Sequence, residues 1–145
     1  MIKDMLIKDV MTTQLITSIE TDSLDKARKL FETNKIRHII VVKDEKLVGI
    51  LSNHDLMRVS FGNTYGDDQQ NVDDAIVNML TVKDVMRHNP IFISPNDPVE
   101  DAIFILLNRR FHSLPVIENN KIVGIVTTTD FLKLLVIPNK NQNSQ

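Results

Sequence analysis

The chain has no cysteine, which excludes disulfide staples, thiolate nucleophiles and cysteine-based metal sites. It has no apolar run approaching the roughly 20 residues that span a bilayer. Charge of either sign is not in excess: 17 Lys and Arg against 19 Asp and Glu leave a net charge of −2, and the basic stripe of a nucleic-acid binder is missing. The opening residues, Met1-Ile2-Lys3-Asp4-Met5, carry an acid early and no long apolar stretch, unlike a secretory leader. There is no Walker-type loop. The four histidines, His38, His54, His88 and His112, lack the short spacing of paired metal ligands. No nucleophile, base and orienting group can be assembled from local motifs. The expectation is a soluble cytoplasmic protein, not an enzyme, with no required cofactor, no metal, and neither nucleic acid nor membrane as partner.

What is present is a repeat. Gly49-Ile50-Leu51-Ser52-Asn53-His54-Asp55 and Gly124-Ile125-Val126-Thr127-Thr128-Thr129-Asp130 share one pattern of glycine, two aliphatics, a hydroxyl, two polar residues and aspartate. The offset of 75 between Asp55 and Asp130 also maps Lys8-Asp9-Val10-Met11 onto Lys83-Asp84-Val85-Met86, Ala27 onto Ala102 and Val41 onto Val116, without a gap. A fixed period with matched motifs at both ends marks an internal duplication. One copy alone would bury a marginal core, whereas two together are large enough to stand without staples. The function is expected where the copies meet.

Each copy reads as turn, strand, helix, hairpin, helix. In the first, 7–11 is a helical turn and 15–19 a short strand, and Asp22-Ser23 supplies N-cap chemistry for a helix ending near Asn34. The β-branched run 39–42 and the segment 47–51 form a hairpin around a polar turn, and 53–60 is a closing helix. In the second, 82–86 is the turn, 91–93 the strand, 98–108 the helix with Pro98 near its first turn. The hairpin 114–117 and 121–126 turns at Asn119-Asn120, and the helix 127–136 closes the copy. The organisation expected is a first repeat at 5–60, a linker at 61–80 with a helix capped by Asn71, a second repeat at 81–136 and a disordered tail at 137–145. The fold class is α+β.

The chemistry concentrates where each hairpin runs into a helix. Gly49 and Gly124 imply either a bulge or a close approach of something to the backbone. Ser52 and Thr127 open helices whose free N–H groups suit an anion such as phosphate. Asp55 and Asp130 lie three residues on, on the same helical face. A carboxylate repels phosphate but accepts two O–H donors, as a ribose diol offers. Hydroxyl, helix N-terminus and carboxylate together describe a nucleotide site. The same Ser-x-x-Asp and Thr-x-x-Asp segments also read as capping boxes with Asp in place of Glu, and both roles stay open. Lys35, Arg37 and His38, and again Arg109, Arg110 and His112, precede the hairpins and are either a solvated face or phosphate contacts. Met11 and Met86 are either core filler or a wall of an adenine slot.

The repeated Lys-Asp-Val-Met, the run Phe111-His112-Ser113-Leu114-Pro115-Val116-Ile117 and the two Gly-x-x-(Ser/Thr)-x-x-Asp segments resemble a tandem pair of CBS domains, the Bateman module, over residues 5 to 136. The resemblance implies a stand-alone module of two β-α-β-β-α repeats packed sheet-to-sheet with pseudo-twofold symmetry, commonly paired as a homodimer. It implies clefts that take an adenosine nucleotide (AMP, ADP or ATP, sometimes S-adenosylmethionine or a dinucleotide) as a regulatory ligand, and an unidentified regulated protein as partner. By the same resemblance Asp55 and Asp130 hold ribose, and Ser52 and Thr127 lie near ribose and phosphate. One cleft is completed by Met86, Ile91 and 111–113, including His112 and Ser113. The other is completed by Met11, Ile16 and 36–38, including Arg37 and His38. Arg37, His38 and His112 face phosphates. Two departures stand out: Ile40 replaces the proline kept as Pro115, and Ser113 stands where a cation would help with phosphate. They motivate the alternative of an interaction or dimerisation scaffold with degenerate clefts.

Overall fold

The computed structural model describes residues 2–61, 75 and 77–143. After a short 3-10 turn at Ile2–Asp4 the elements are α1 (Ile7–Val10), β1 (Thr17–Ile19), α2 (Leu24–Asn34), β2 (His38–Lys43), β3 (Lys46–Ser52) and α3 (Asn53–Phe61). They are followed by α4 (Val82–Val85), β4 (Arg87–His88), α5 (Val99–Arg109), β5 (Ser113–Glu118), β6 (Lys121–Thr127) and α6 (Thr128–Asn143). The protein is a mixed α+β fold with two repeats. Of the expected linker helix, residues 75 and 77–79 are helical; its Asn71 cap and the loop before it lie outside the described residues.

The repeated Lys-Asp-Val-Met has a local explanation. Asp9 accepts the Leu6 N–H at 3.0 Å, and Asp84 accepts the Thr81 N–H at 2.8 Å. Each aspartate thereby satisfies a donor that the start of a helix leaves without a partner. The methionine ends the turn, its N–H returning to Ile7 O in one copy and Val82 O in the other.

The chain divides into two compact units that are not the two repeats. A contiguous unit runs from Ile16 to Pro90. A split unit joins the residues up to Leu15 with those from Ile91 onward. Each repeat therefore gives its leading turn to the core of the other. Val82 and Met86 are buried with Leu24, Ala27, Phe31, Ile39 and Leu51. Ile7 is buried with Val99, Ala102, Leu114, Val116 and Val126. Asp22 and Asp97 are matching anchors for this exchange: their carbonyls accept the N–H groups of Val82 and Ile7, both at 2.9 Å.

In the contiguous unit the sheet order is β1-β2-β3-β4, with β1 parallel to β2 and the other pairs antiparallel. In the split unit β5 pairs antiparallel with β6, in a register that repeats the first hairpin. The two-residue turns, Asp44-Glu45 and Asn119-Asn120, all have positive φ, the twist that suits a tight antiparallel connection.

Three sequence expectations change. The strand expected at 91–93 is reduced to a bridge between Ile93 and Val116. The reason is Pro115: in the first copy Ile40 donates to Ile16 O at 3.2 Å, and proline has no N–H to repeat that bond. The helix expected from Pro98 to Asn108 runs from Val99 to Arg109, with Pro98 as its N-cap. The tail expected from 137 is helical to Asn143; extending a helix already nucleated costs far less than starting one.

Candidate functional site

Both strand-to-helix corners are built alike. In the contiguous unit His38 lies opposite Ser52 across the hairpin, and the Asn53 N–H donates to Arg37 O at 2.8 Å. In the split unit Ser113 lies opposite Thr127, and the Thr128 N–H donates to His112 O at 3.0 Å. The start of the hairpin is thus tied to the first residue of the closing helix in both copies. Ser52 and Thr127 directly precede α3 and α6, the N-cap position, with Asp55 and Asp130 in the first helical turns.

The carboxylates differ. Thr127 and Asp130 form a reciprocal capping box. The Thr127 N–H reaches Asp130 Oδ2 at 3.0 Å and the Asp130 N–H reaches Thr127 Oγ1 at 3.3 Å. Thr12 Oγ1 donates to Asp130 Oδ1 at 3.0 Å. Asp130 is buried, at 7% exposure. At the other corner only half of the box is made: the Asp55 N–H donates to Ser52 Oγ at 3.0 Å, while Asp55 Oδ1 pairs with Arg58 at 3.2 Å. Asp55 remains partly exposed.

The two glycines are explained by the exchanged turns. A Cβ on Gly124 would lie 2.7 Å from Met11 Sδ and 3.0 Å from Thr12 O. One on Gly49 would collide with Met86 Sδ and lie 3.0 Å from Arg87 O. The close approach anticipated from sequence is therefore made by a methionine and its following carbonyl. Met86 belongs to the core of the contiguous unit and Met11 packs against that of the split unit, as filler does.

The candidate residues divide between the two units. Ile16, Arg37, His38, Ser52, Asp55 and Met86 share the contiguous unit; Met11, Ile91, His112, Ser113, Thr127 and Asp130 share the split unit. Within each unit the hairpin register sets the start of β2 or β5 opposite the end of the strand it pairs with, and the leading turn comes from the other repeat. Sequence reasoning missed Thr12, Arg58 and Arg87. Thr12 and Arg87 are related by the same offset of 75 and directly follow Met11 and Met86, and that offset could have flagged them. Arg58 lies at helical i+3 spacing from Asp55. Among the described residues no group of three or more His, Asp or Glu could hold a metal ion. No described helix is long and apolar enough to cross a membrane.

The CBS-domain model matches residues 7–62 and 82–137. The chain belongs to the CBS-domain family. Similar proteins include the uncharacterized protein MJ1232 of Methanocaldococcus jannaschii, 32% identical over 92% of this chain and 40% of that protein. The CBS domain-containing protein DDB_G0289609 of Dictyostelium discoideum is 30% identical over 90% of this chain and 91% of that one. The chain spans 42%, 40% and 24% of the length of the first three curated relatives that it matches. Among solved structures, the CBS domain pair of protein MJ0100, in complex with 5′-methylthioadenosine and S-adenosyl-L-methionine, has a TM-score of 0.74 at 26% identity, covering 90% of this chain and 95% of that one.

Proposed function

We propose that this CBS-domain protein is a regulatory module, not an enzyme, that binds an adenosine nucleotide (AMP, ADP, ATP or a related adenosyl compound) at its strand-to-helix corners. It signals occupancy to a regulated protein partner in the cytoplasm. The observation that carries this reading is the duplicated corner itself, a hydroxyl at a helix N-cap with a carboxylate one turn on. The adenosyl ligands of the similar MJ0100 domain pair support it. In this reading Ser52 and Thr127 meet ribose or phosphate, Asp55 and Asp130 take the diol, and Arg37, His38 and His112 face phosphate. Met11, Ile16, Met86, Ile91 and Ser113 line the base or its approach. The module works as a homodimer. Phe104 and Leu107 on α5, and Leu132 and Leu135 on α6, are 61–75% exposed, apolar side chains that such a pairing would cover.

A thermal-shift panel of AMP, ADP, ATP and S-adenosylmethionine tests the reading. Ligand at 100 times its Kd adds about 2.7 kcal/mol to the folded state, a rise of several degrees in Tm for a chain of this size. A flat response to all four compounds contradicts it. The second reading, a scaffold with unused corners, is favoured by one observation: Asp130 already has partners on both oxygens. Nucleotide retained through purification and identified by mass spectrometry would exclude it.

A further inference from the structure

We infer that Thr12 is a built-in competitor for the ligand at the Asp130 corner, so that the two corners of this chain differ in affinity. This rests on the adenosine reading above and adds to it which corner is masked, and by what. The Thr12 hydroxyl donates to Asp130 Oδ1 at 3.0 Å, the same kind of bond that a sugar hydroxyl would make to that oxygen. Oδ2 is meanwhile held by the Thr127 N–H at 3.0 Å and the Thr127 hydroxyl at 3.3 Å. A carboxylate offers about four acceptor positions, and three of them are taken here.

Thr12 is not there by side-chain accident. Its N–H donates to Ile125 O at 2.8 Å and its carbonyl accepts the Ile125 N–H at 2.9 Å, so the backbone clamps the residue beside the carboxylate. The position related by the repeat holds a residue of different chemistry: Arg87 lies opposite Ile50 in the β3–β4 register, as Thr12 lies opposite Ile125. A neutral hydroxyl that imitates the ligand occupies one corner, and a cationic residue stands at the matching place in the other. A diol reaching Asp130 must displace Thr12 or share a buried carboxylate with it, and either costs affinity.

The test isolates the masked corner. In an Asp55→Ala background, binding of AMP, ATP and S-adenosylmethionine is measured by isothermal titration for three forms, with Thr12 intact, Thr12→Val and Thr12→Ser. Valine keeps the shape and removes the hydroxyl; Thr12→Ala is the substitute if the valine form folds poorly. The valine form is expected to bind the preferred ligand on the order of fivefold more tightly, the net worth of one hydrogen bond. The serine form, which keeps the hydroxyl, should match the parent. Unchanged or weaker binding by the valine form, or no binding by any Asp55→Ala form while the wild type binds, overturns the inference and leaves the adenosine reading standing. Failure of the wild type to bind all three ligands overturns both.

Discussion

The Thr12 hydroxyl and the Asp130 carboxylate, 118 positions apart in sequence, are joined by a 3.0 Å hydrogen bond. The bond exists because the leading turn of the first repeat is built into the unit that contains the second. It makes Asp130 a structural residue as well as a candidate ligand residue, whereas Asp55 is the more exposed of the two.

The two aspartates should therefore differ in their cost to stability. Asp130→Ala removes a reciprocal cap, worth about 1 kcal/mol, and the bond from the Thr12 hydroxyl, worth about 0.5–1.5 kcal/mol more. Asp55→Ala loses a bond to Arg58, whose side chain is 70% exposed, and such pairs contribute about 0–1 kcal/mol. Urea unfolding of both variants at pH 7 checks this. Equal losses would contradict the structural asymmetry.

Gly49 and Gly124 should resist substitution for a reason that can be relieved. Gly124→Ala places its methyl 2.7 Å from Met11 Sδ, and overpacking of this kind costs about 1–3 kcal/mol. Pairing it with Met11→Ala removes the thioether and should recover part of that loss, although Thr12 O at 3.0 Å remains. A double-mutant cycle reads the coupling. Strict additivity would show that the methionine is not the obstacle.

Acid should weaken the fold through Asp22. Burial opposes its ionisation, but the Ser18 hydroxyl, the Ile19 N–H and Lys26 outweigh burial and hold its pKa below the ordinary 3.8. A carboxylate depressed in the folded state contributes stability above its unfolded pKa and loses it as pH falls through the folded value. Asp22→Asn should be less stable than wild type at pH 7, with the gap closing as pH drops below 3.8. A gap independent of pH, measured by urea midpoints, would contradict this assignment.

Pro115 should be the residue that shortens the second parallel pairing. Pro115→Val supplies an N–H that can bond Ile91 O as Ile40 bonds Ile16 O at 3.2 Å. Amide hydrogen exchange at position 115 should then be slow, as at Ile40. Fast exchange there would mean that something other than the missing donor limits the strand.

The repeat, the helices, both hairpins and both corners were legible in the sequence, because each rests on local signals: the cap at Ser23, the β-branched run at 39–42, the offset of 75. Exchange of the leading turns was not legible. Ile7 and Val82 look alike in sequence, and only packing decides which core each one enters. The same ambiguity hid Thr12, since nothing near it in the chain announces Asp130 as its partner. Of the two meanings the glycines left open, a bulge or a close approach, the structure shows an approach by a methionine, which a spacing pattern cannot reveal. Loss of the strand at 91–93 could have been inferred from Pro115 alone, had its missing donor been followed to Ile91.

The central claim is that an adenosine ligand binds at the corners. Titration of the 15N-labelled protein with AMP, ATP and S-adenosylmethionine, followed by amide NMR, tests it most directly. The expected result is saturable shifts centred on Ser52, Asn53 and Asp55, with a second, weaker set at Thr127, Thr128 and Asp130. Spectra unchanged by every ligand, or shifts confined to residues remote from both helix starts, would contradict it.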